Sequence, residues 1–411
     1  MTGALSGIKV VEVSVAMAAP FCGMMLADQG ADVVKVERVG RGDDSRAWPP
    51  HFHGSMSHYF AAANRNKRSV AVDLKSPDGV EIVRRLAVDA DVLIENYRVG
   101  ALERAGLGFG ELSRANPRLV YCSISGFGRE GARREERAND LFMQAFSGSM
   151  SVTGHRGSGP VKMGPSIADI GAGLFASIGV LSALEARHRT GRGQHVDTSL
   201  LDGQLAILSY HLTSFFASGV VPGPQGSGAE FGVPYQAFPT GDDWLIIAVF
   251  NETMWQALCV GIGRKEWADD PRFSDLPTRI RHRDVLIEML SEVLRTMPAS
   301  HWETSLKASG IPCTRVNRID QIVDDPQVRA MGMIADLDVD RLGPIRMAAP
   351  PIRFSDTPSS VHLPPPRLGQ HTRDVVRSVG FSDDHIDRLA AGGVLGLDDF
   401  DATDSTTGQD L

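Results

Sequence analysis

Short apolar runs at residues 8–13, 33–36, 92–94 and 119–124 alternate with stretches of helical periodicity. This alternation is the strongest constraint the chain places on its fold. Helices are expected at 17–28 and at 78–88, the second opening behind Ser76-Pro77, a favourable helix start. Short buried strands separated by helices predict an α/β architecture: a mainly parallel sheet with helices on its faces. Sheets of that kind bind ligands at the carboxyl ends of their strands.

A long helical region at 167–189 is broken by Thr190-Gly-Arg-Gly193, and a second helix is expected at 200–217. Residues 219–232 are rich in Gly and Pro and predict a mobile connection or active-site loop. Beyond them, a strand at 244–249 and helices at 251–260 and 283–295 suggest a smaller domain. After Asp336, short strands and Pro-rich turns, with Pro364-Pro-Pro366 as a stiff element, return the chain to a last helix at 382–391. The acidic, polar tail from 397 to 411 is expected to be disordered. Two domains also suit a length of 411 residues. No internal repeat is visible.

The formal net charge of −8 argues against a general nucleic-acid binder. No apolar run reaches the length of a membrane span, and the segment from Met1 to Lys9 lacks a signal-peptide core. Cys22, Cys122, Cys259 and Cys313 are too scattered for a zinc motif or a CxxC pair. A reducing cytoplasmic enzyme or binding protein is expected, with nothing that demands a metal.

One carboxylate stands apart. Asp169 lies in Gly164-Pro-Ser-Ile-Ala-Asp-Ile-Gly-Ala-Gly173, and the next acidic residue downstream is Glu185. Ile170, Leu174, Ile178 and Leu181 share one helical face, so Asp169 sits near a helix N-terminus. Free N–H groups and the helix dipole are expected there to favour its ionised form. An accessible carboxylate of this kind is a nucleophile for activated acyl groups, whereas an ordinary N-cap Asp is the plain alternative. Gly171 and Gly173 permit close approach of a ligand or another backbone. Asn139-Asp140 opens a further helix at 141–150, with Asp140 either a second functional carboxylate or its cap.

Basic residues gather at loop positions in the first third: Arg38, Arg41, Arg46, Arg65, Lys67, Arg68, Lys75, Arg98 and Arg104. As a set they suit a small polyanion bearing a diphosphate and a further phosphate; singly, each equally well solvates the surface. Gly106-Leu-Gly108-Phe-Gly110 follows a helix rather than a strand and reads as a turn, not a dinucleotide loop. His51, His53 and His58 lack a supporting Cys or acid at ligand spacing and read as solvated histidines.

Several stretches in order resemble the class III CoA-transferases, the family that also holds carnitine CoA-transferase, formyl-CoA transferase and 2-methylacyl-CoA racemases. They are Leu5-Ser-Gly-Ile-Lys-Val-Val-Glu-Val13, Gly30-Ala-Asp-Val-Val-Lys-Val-Glu37, Asn64-Arg-Asn-Lys-Arg-Ser69 with Val72-Asp-Leu-Lys75, Asp91-Val-Leu-Ile-Glu-Asn-Tyr97, and the run from Ile178 to Gln194. The resemblance implies that Asp169 is the catalytic aspartate. It implies CoA contacts at Arg38, Val72, Lys75, Asn96, Tyr97, Arg104 and Arg137, and places Met17, Trp48, Tyr59, Asn139, Asp140, Gly226 and Gly228 near the substrate. Coenzyme A would be a substrate, with no tightly bound cofactor.

The implied fold has a Rossmann-like large domain from both chain ends (1–218 and 333–396), a linker at 219–232 and a small α+β domain at 233–332, with two subunits interlocked as a homodimer. The implied activity is CoA transfer from an acyl-CoA to a carboxylic acid, without nucleic acid or membrane as partner. A 2-methylacyl-CoA racemase and a non-catalytic CoA-binding protein are the rivals. Met17 stands where formyl-CoA:oxalate transferases carry Gln, and Gly226-Ser-Gly228-Ala-Glu-Phe-Gly232 replaces their Gly-rich loop, so an acyl group larger than formyl or oxalyl is expected. Asn139 stands where racemases carry a histidine base, and an amide removes no proton at neutral pH.

Overall fold

A computed structural model describes residues 2–340 and 342–398. Its largest element is a seven-stranded sheet of β1 (Lys9–Val13), β2 (Asp32–Glu37), β3 (Lys67–Val72), β4 (Val92–Glu95), β5 (Val120–Ser125), β6 (His195–Ser199) and β7 (Leu395–Gly396). The spatial order is β7-β3-β2-β1-β4-β5-β6. Strands β1 to β6 are parallel, and only β7 runs antiparallel, against β3. The chain is therefore mixed α/β with a large parallel sheet, and strand order reverses between β1 and β4.

Alternation along each strand feeds two cores. Val11, Val13, Val34, Val36, Leu93 and Tyr121 point to one face, where Ile82, Leu86, Val375 and Leu389 cover them. Val10, Val33, Val92, Ile94, Val120 and Cys122 point to the other, beneath α1 (Ala18–Asp28) and α3 (Ile167–Thr190). Apolar residues on both faces are what a parallel sheet covered on two sides requires.

The α3 helix is long and apolar enough to cross a membrane by length and composition alone, contrary to the expectation that no run reaches that length. Its buried side is mostly small residues, Ala168, Ala172, Ala176, Val180 and Ala183, with Leu184 beyond them. Of the periodic stripe read from the sequence, Leu174 and Ile178 are exposed, whereas Leu181 packs against the core. Small side chains let α3 approach α1 closely. A Cβ on Gly173 would come within 2.6 Å of the Ala18 carbonyl oxygen, so the glycine serves backbone approach here.

Two compact units emerge. Among the described residues, one comprises 2–149, Met163–Phe216 and 329–340 with 342–398; the other comprises Met150–Lys162 and Ala217–Val328. The second unit has an antiparallel sheet of Tyr235–Pro239, Trp244–Ala248 and Cys313–Arg315. Its core contains Phe238, Leu245, Ile247, Trp255, Leu286, Leu290 and Trp302.

Local departures from expectation have physical causes. The single helix expected at 200–217 is two, Leu200–Ile207 and Ser209–Ser218, and the one expected at 141–150 divides into α2 (Asp140–Phe146) and Ser149–Val152. The first break falls at Leu208; the second falls at Ser147-Gly148, where the Ser147 hydroxyl donates to the Gln144 carbonyl at 3.4 Å. Asp398, inside the tail expected to be disordered, pairs with Arg367 at 2.8 Å; residues 399–411 lie outside the described residues.

Candidate active site

The site is founded on charges buried inside the sheet. Glu12 breaks the run Val11-Glu12-Val13, and Lys35 breaks Val34-Lys35-Val36. Register sets them side by side and aligns Lys67 with Val33 one strand further. Lys35 Nζ lies 2.9 Å from both Glu12 and Asp43, and Lys67 Nζ lies 2.8 Å from Glu12, all with fully buried side chains. Burial alone pushes Asp43 up, but the Lys35 ammonium and the Ala16 N–H outweigh it and hold the carboxyl down, at about 2. The sequence signal for this network is a charge within each valine run; the sequence reading assigned no role to Glu12, Lys35 or Asp43.

The network shapes the turn at the carboxyl end of β1. Asp43 accepts from the Ala16 N–H at 3.0 Å, and Asn96, at the end of β4, accepts from the Val15 N–H at 3.0 Å and donates to the Val15 carbonyl at 2.8 Å. Ala16 has φ 66°, a left-handed conformation that a non-glycine residue keeps only when its surroundings enforce it. The Asn96 amide, expected to meet CoA, is thus engaged with the turn that leads through half-buried Met17 into α1.

Asp169 occupies the first turn of α3. Asp140 does not cap its own helix: the Asn139 side chain does so, accepting from the Phe142 N–H at 2.9 Å. That spent oxygen further separates Asn139 from a base. Asp140 instead reaches across to accept from the Ala168 N–H at 2.9 Å and takes a 2.7 Å bond from Gln144, which in turn accepts from the Met163 N–H. Asp169 has no ion-pair or hydrogen-bond partner among the described residues. Burial, reinforced by the neighbouring Asp140 charge, pushes its carboxyl up to about 7. Burial and the Asp140 charge thus act against the ionised form that the helix N-terminus was expected to favour.

A cleft of about 570 Å³ opens at the carboxyl ends of β2 and β3. Arg38, Arg41, Val72, Lys75 and Tyr97 line it, together with Gly393 from near the C-terminus. Asn96, Arg104 and Arg137 are not in its lining; Arg104 is exposed on the adjacent Ala101–Arg104 helix, and Arg137 is exposed in a separate charged loop. Arg38 is tied to Asp44 at 2.6 Å. The basic cluster read from the sequence thus divides. Arg38, Arg41 and Lys75 line the cleft, the two arginines also meeting Asp44, whereas Arg46, Arg65, Lys67 and Arg68 lie outside its lining and pair with Glu37, Asp28, Glu12 and Asp32. Linear position near a strand end does not distinguish a ligand-facing cation from one neutralising a neighbouring strand.

Trp48 and Tyr59 are brought together, their rings edge to face at 5.6 Å. His53 and His58 bond to the backbone carbonyls of Leu342 and His51. In the second unit, the N–H groups of Gly226 and Gly228 already donate to Gly154 and Gln225, at 2.8 and 3.1 Å. Neither is open to an oxyanion in this arrangement. At the start of α3, the Ile167 N–H is used by Pro165 and the Ala168 N–H by Asp140, while the Asp169 N–H has no acceptor among the described residues.

Comparison with known proteins identifies the family. The model of CoA-transferase family III matches residues 5–372. A succinate–glutarate CoA-transferase of Agrobacterium fabrum is 38% identical over 378 residues, covering 90% of this chain and 94% of its own. A succinyl-CoA:glutarate CoA-transferase of Mus musculus is 35% identical over 392 residues, covering 95% and 90%. The crystal structure of a CAIB/BAIF family protein from Brucella suis superposes with a TM-score of 0.83 at 36% identity, covering 92% of this chain and all of that one. With the match spanning nearly the whole length, the chain belongs to CoA-transferase family III and is an enzyme of that family.

Proposed function

We propose that the enzyme moves CoA from an acyl-CoA donor to a free carboxylic acid, with Asp169 as nucleophile. The observation that carries this is the placement of Asp169: a half-buried carboxylate without an ion-pair partner among the described residues, its pKa pushed up to about 7. A raised pKa makes a carboxylate more nucleophilic while leaving much of it deprotonated. Its oxygen attacks the thioester carbonyl, the C–S bond breaks, and CoA leaves as thiolate. The thiolate then attacks the aspartyl carbonyl of the mixed anhydride, releasing the donor acid and leaving an aspartyl-CoA thioester. The acceptor carboxylate repeats the sequence in reverse and regenerates the Asp169 carboxylate. One thioester replaces another, so no ATP is consumed. The Asp169 N–H suits the developing oxyanion.

The acyl-CoA occupies the cleft lined by Arg38, Lys75 and Tyr97, and the β3-β2-β1-β4-β5-β6 order supports a Rossmann-like description of the large domain. Met17, apolar and beside α1, favours an acyl group with some apolar surface. An interlocked homodimer is supported by Phe142, Phe146, Leu174, Ile178, Tyr210 and Phe216, large side chains that a single chain leaves exposed. Four free thiols favour a reducing compartment.

A panel of acyl-CoA donors mixed with free acids, followed by mass spectrometry, tests the activity. New acyl-CoA should appear without ATP; hydrolysis alone, or exchange of the α-hydrogen with heavy water in place of transfer, would overturn the reading. For the cleft, Arg38→Ala and Lys75→Ala are each expected to weaken CoA binding by about 1.5–3 kcal/mol, the worth of a charge-assisted contact. Calorimetry showing unchanged affinity in both would remove CoA from this cleft.

A further inference from the structure

Tyr97, Ala101, Leu102 and Ala105 supply one wall of the cleft at the carboxyl ends of β2 and β3. Local interactions hold this segment weakly. Its helix, Ala101–Arg104, is a single turn that starts behind Gly100, at φ 81°, without a side-chain cap. One turn has too few hydrogen bonds to persist by itself in water. Leu102, buried in the core, anchors the helix. A polar cluster outside the cleft lining supplies a second anchor. Glu95, buried at the end of β4, accepts from the Tyr97 N–H at 2.9 Å. Arg129 places Nη1 3.5 Å from Glu95 Oε1 and donates through Nη2 to Glu103, on the helix itself. Its Nη1 also donates to the Ser123 hydroxyl at 3.4 Å, and that hydroxyl meets His195 Nε2 at 2.9 Å.

The turn after β5 leads the chain to Arg129. The Ser125 hydroxyl accepts from the Gly128 N–H at 3.0 Å, and Gly128 has φ 93°, a conformation open to glycine. Arg129 differs from Arg38 and Arg41 in standing outside the cleft lining. Its single charge meets two carboxylates, which leaves no surplus for a phosphate. Burial pushes the Glu95 carboxyl up to about 7, against the pull of Ser123, the Tyr97 N–H and Arg129. A buried ion pair adds little net stability over apolar groups of the same shape, so the effect of this cluster lies in geometry. One guanidinium reaches the carboxylate that holds Tyr97, at the start of the wall, and the helix at its end.

We propose that Arg129 is a positioning residue for CoA: by bridging Glu95 and Glu103 it fixes Tyr97 and the Ala101–Arg104 helix relative to each other, without itself touching CoA. The inference rests on the placement of CoA in this cleft and adds to that site a residue outside its lining.

Calorimetric titration of the full-length protein with CoA tests it. Arg129→Met should weaken CoA roughly fivefold or more. Arg129→Lys should recover part of that loss, because an ammonium keeps the charge but lacks the fork that spans two carboxylates. Added to Tyr97→Ala, Arg129→Met should cost clearly less than it does alone, since it acts partly through that residue. With a donor and acid that react, Arg129→Met should raise the KM for the donor and leave kcat within about twofold. Arg68→Met, which breaks a pair with Asp32 outside the cleft lining, should leave CoA affinity unchanged. Wild-type affinity in Arg129→Met would overturn the proposal. So would a loss fully additive with Tyr97→Ala, or an equal loss in Arg68→Met. Glu103 is partly exposed, so Glu103→Gln carries the same test if Arg129→Met does not fold. Weakened binding in Arg38→Ala and Lys75→Ala with none in Arg129→Met would defeat the positioning role alone. Weakened binding in Arg129→Met with none in those two would move CoA out of the cleft and defeat both readings.

Discussion

Replacing Asp169 by alanine is expected to reduce CoA transfer by about three orders of magnitude or more while CoA still binds, because the covalent route loses its only nucleophile. In the intact enzyme given acyl-CoA, hydroxylamine should convert the activated Asp169 to a hydroxamate detectable by peptide mass spectrometry. Turnover within tenfold of wild type, or hydroxamate at another residue, would end the mechanism. The same group makes a pH prediction. Asp169 keeps its proton up to about 7 in the folded protein, because burial and Asp140 disfavour the anion, but loses it near 3.8 when unfolded. Between those values the native state binds more protons, so this group's contribution to stability falls as pH rises through that window. Asn has no such cost. The thermal midpoint of Asp169→Asn relative to wild type should therefore climb as pH rises from about 5 to about 8, while wild-type kcat/KM climbs over the upper part of that range as the nucleophile ionises. A difference in midpoint independent of pH would show that Asp169 titrates normally.

Lys35→Met is the second large effect. It leaves Asp43 buried without its cation and leaves Glu12 with Lys67 alone. Breaking a buried pair from one side costs about 3–5 kcal/mol, far more than the pair contributes when both partners are exchanged for apolar groups. Urea unfolding should show that loss, and adding Glu12→Gln to Lys35→Met should cost less than the two single changes summed. Additive costs would mean that the charges do not act together. Because Asp43 also holds the Ala16 N–H, Lys35→Met should lower activity in protein that remains folded, by releasing the β1–α1 turn.

The sequence was informative wherever a pattern is local. The valine runs marked β1, β2 and β4 to within a residue or two, and the periodicity after Ile167 located α3, because strand alternation and helical period depend only on near neighbours. Motifs spread from Leu5 to Gln194 sufficed to identify the family, which the matched model covers over residues 5–372. Along the chain, Asp169 already stood apart from other charges.

Charge pairing was not legible. Arg65 and Arg68 look like Arg38 and Arg41 in the sequence, yet the first two close on the distant Asp28 and Asp32, while the last two meet the nearby Asp44 and line a cleft. The distant partners are 37 and 36 residues away, and only strand register brings them together. The buried side of α3 was equally hidden, since its small residues carry a weaker periodic signal than Leu174 and Ile178, which remain outside. The pKa of Asp169 also belongs to the tertiary structure. From sequence the helix terminus argued for a stable anion, but the fold buries Asp169 and brings in the like charge of Asp140 from another helix, where Asp140 accepts from the Ala168 N–H. Desolvation and long-range charge depend on what the fold packs around a group, and a linear sequence carries that information only through the fold it specifies.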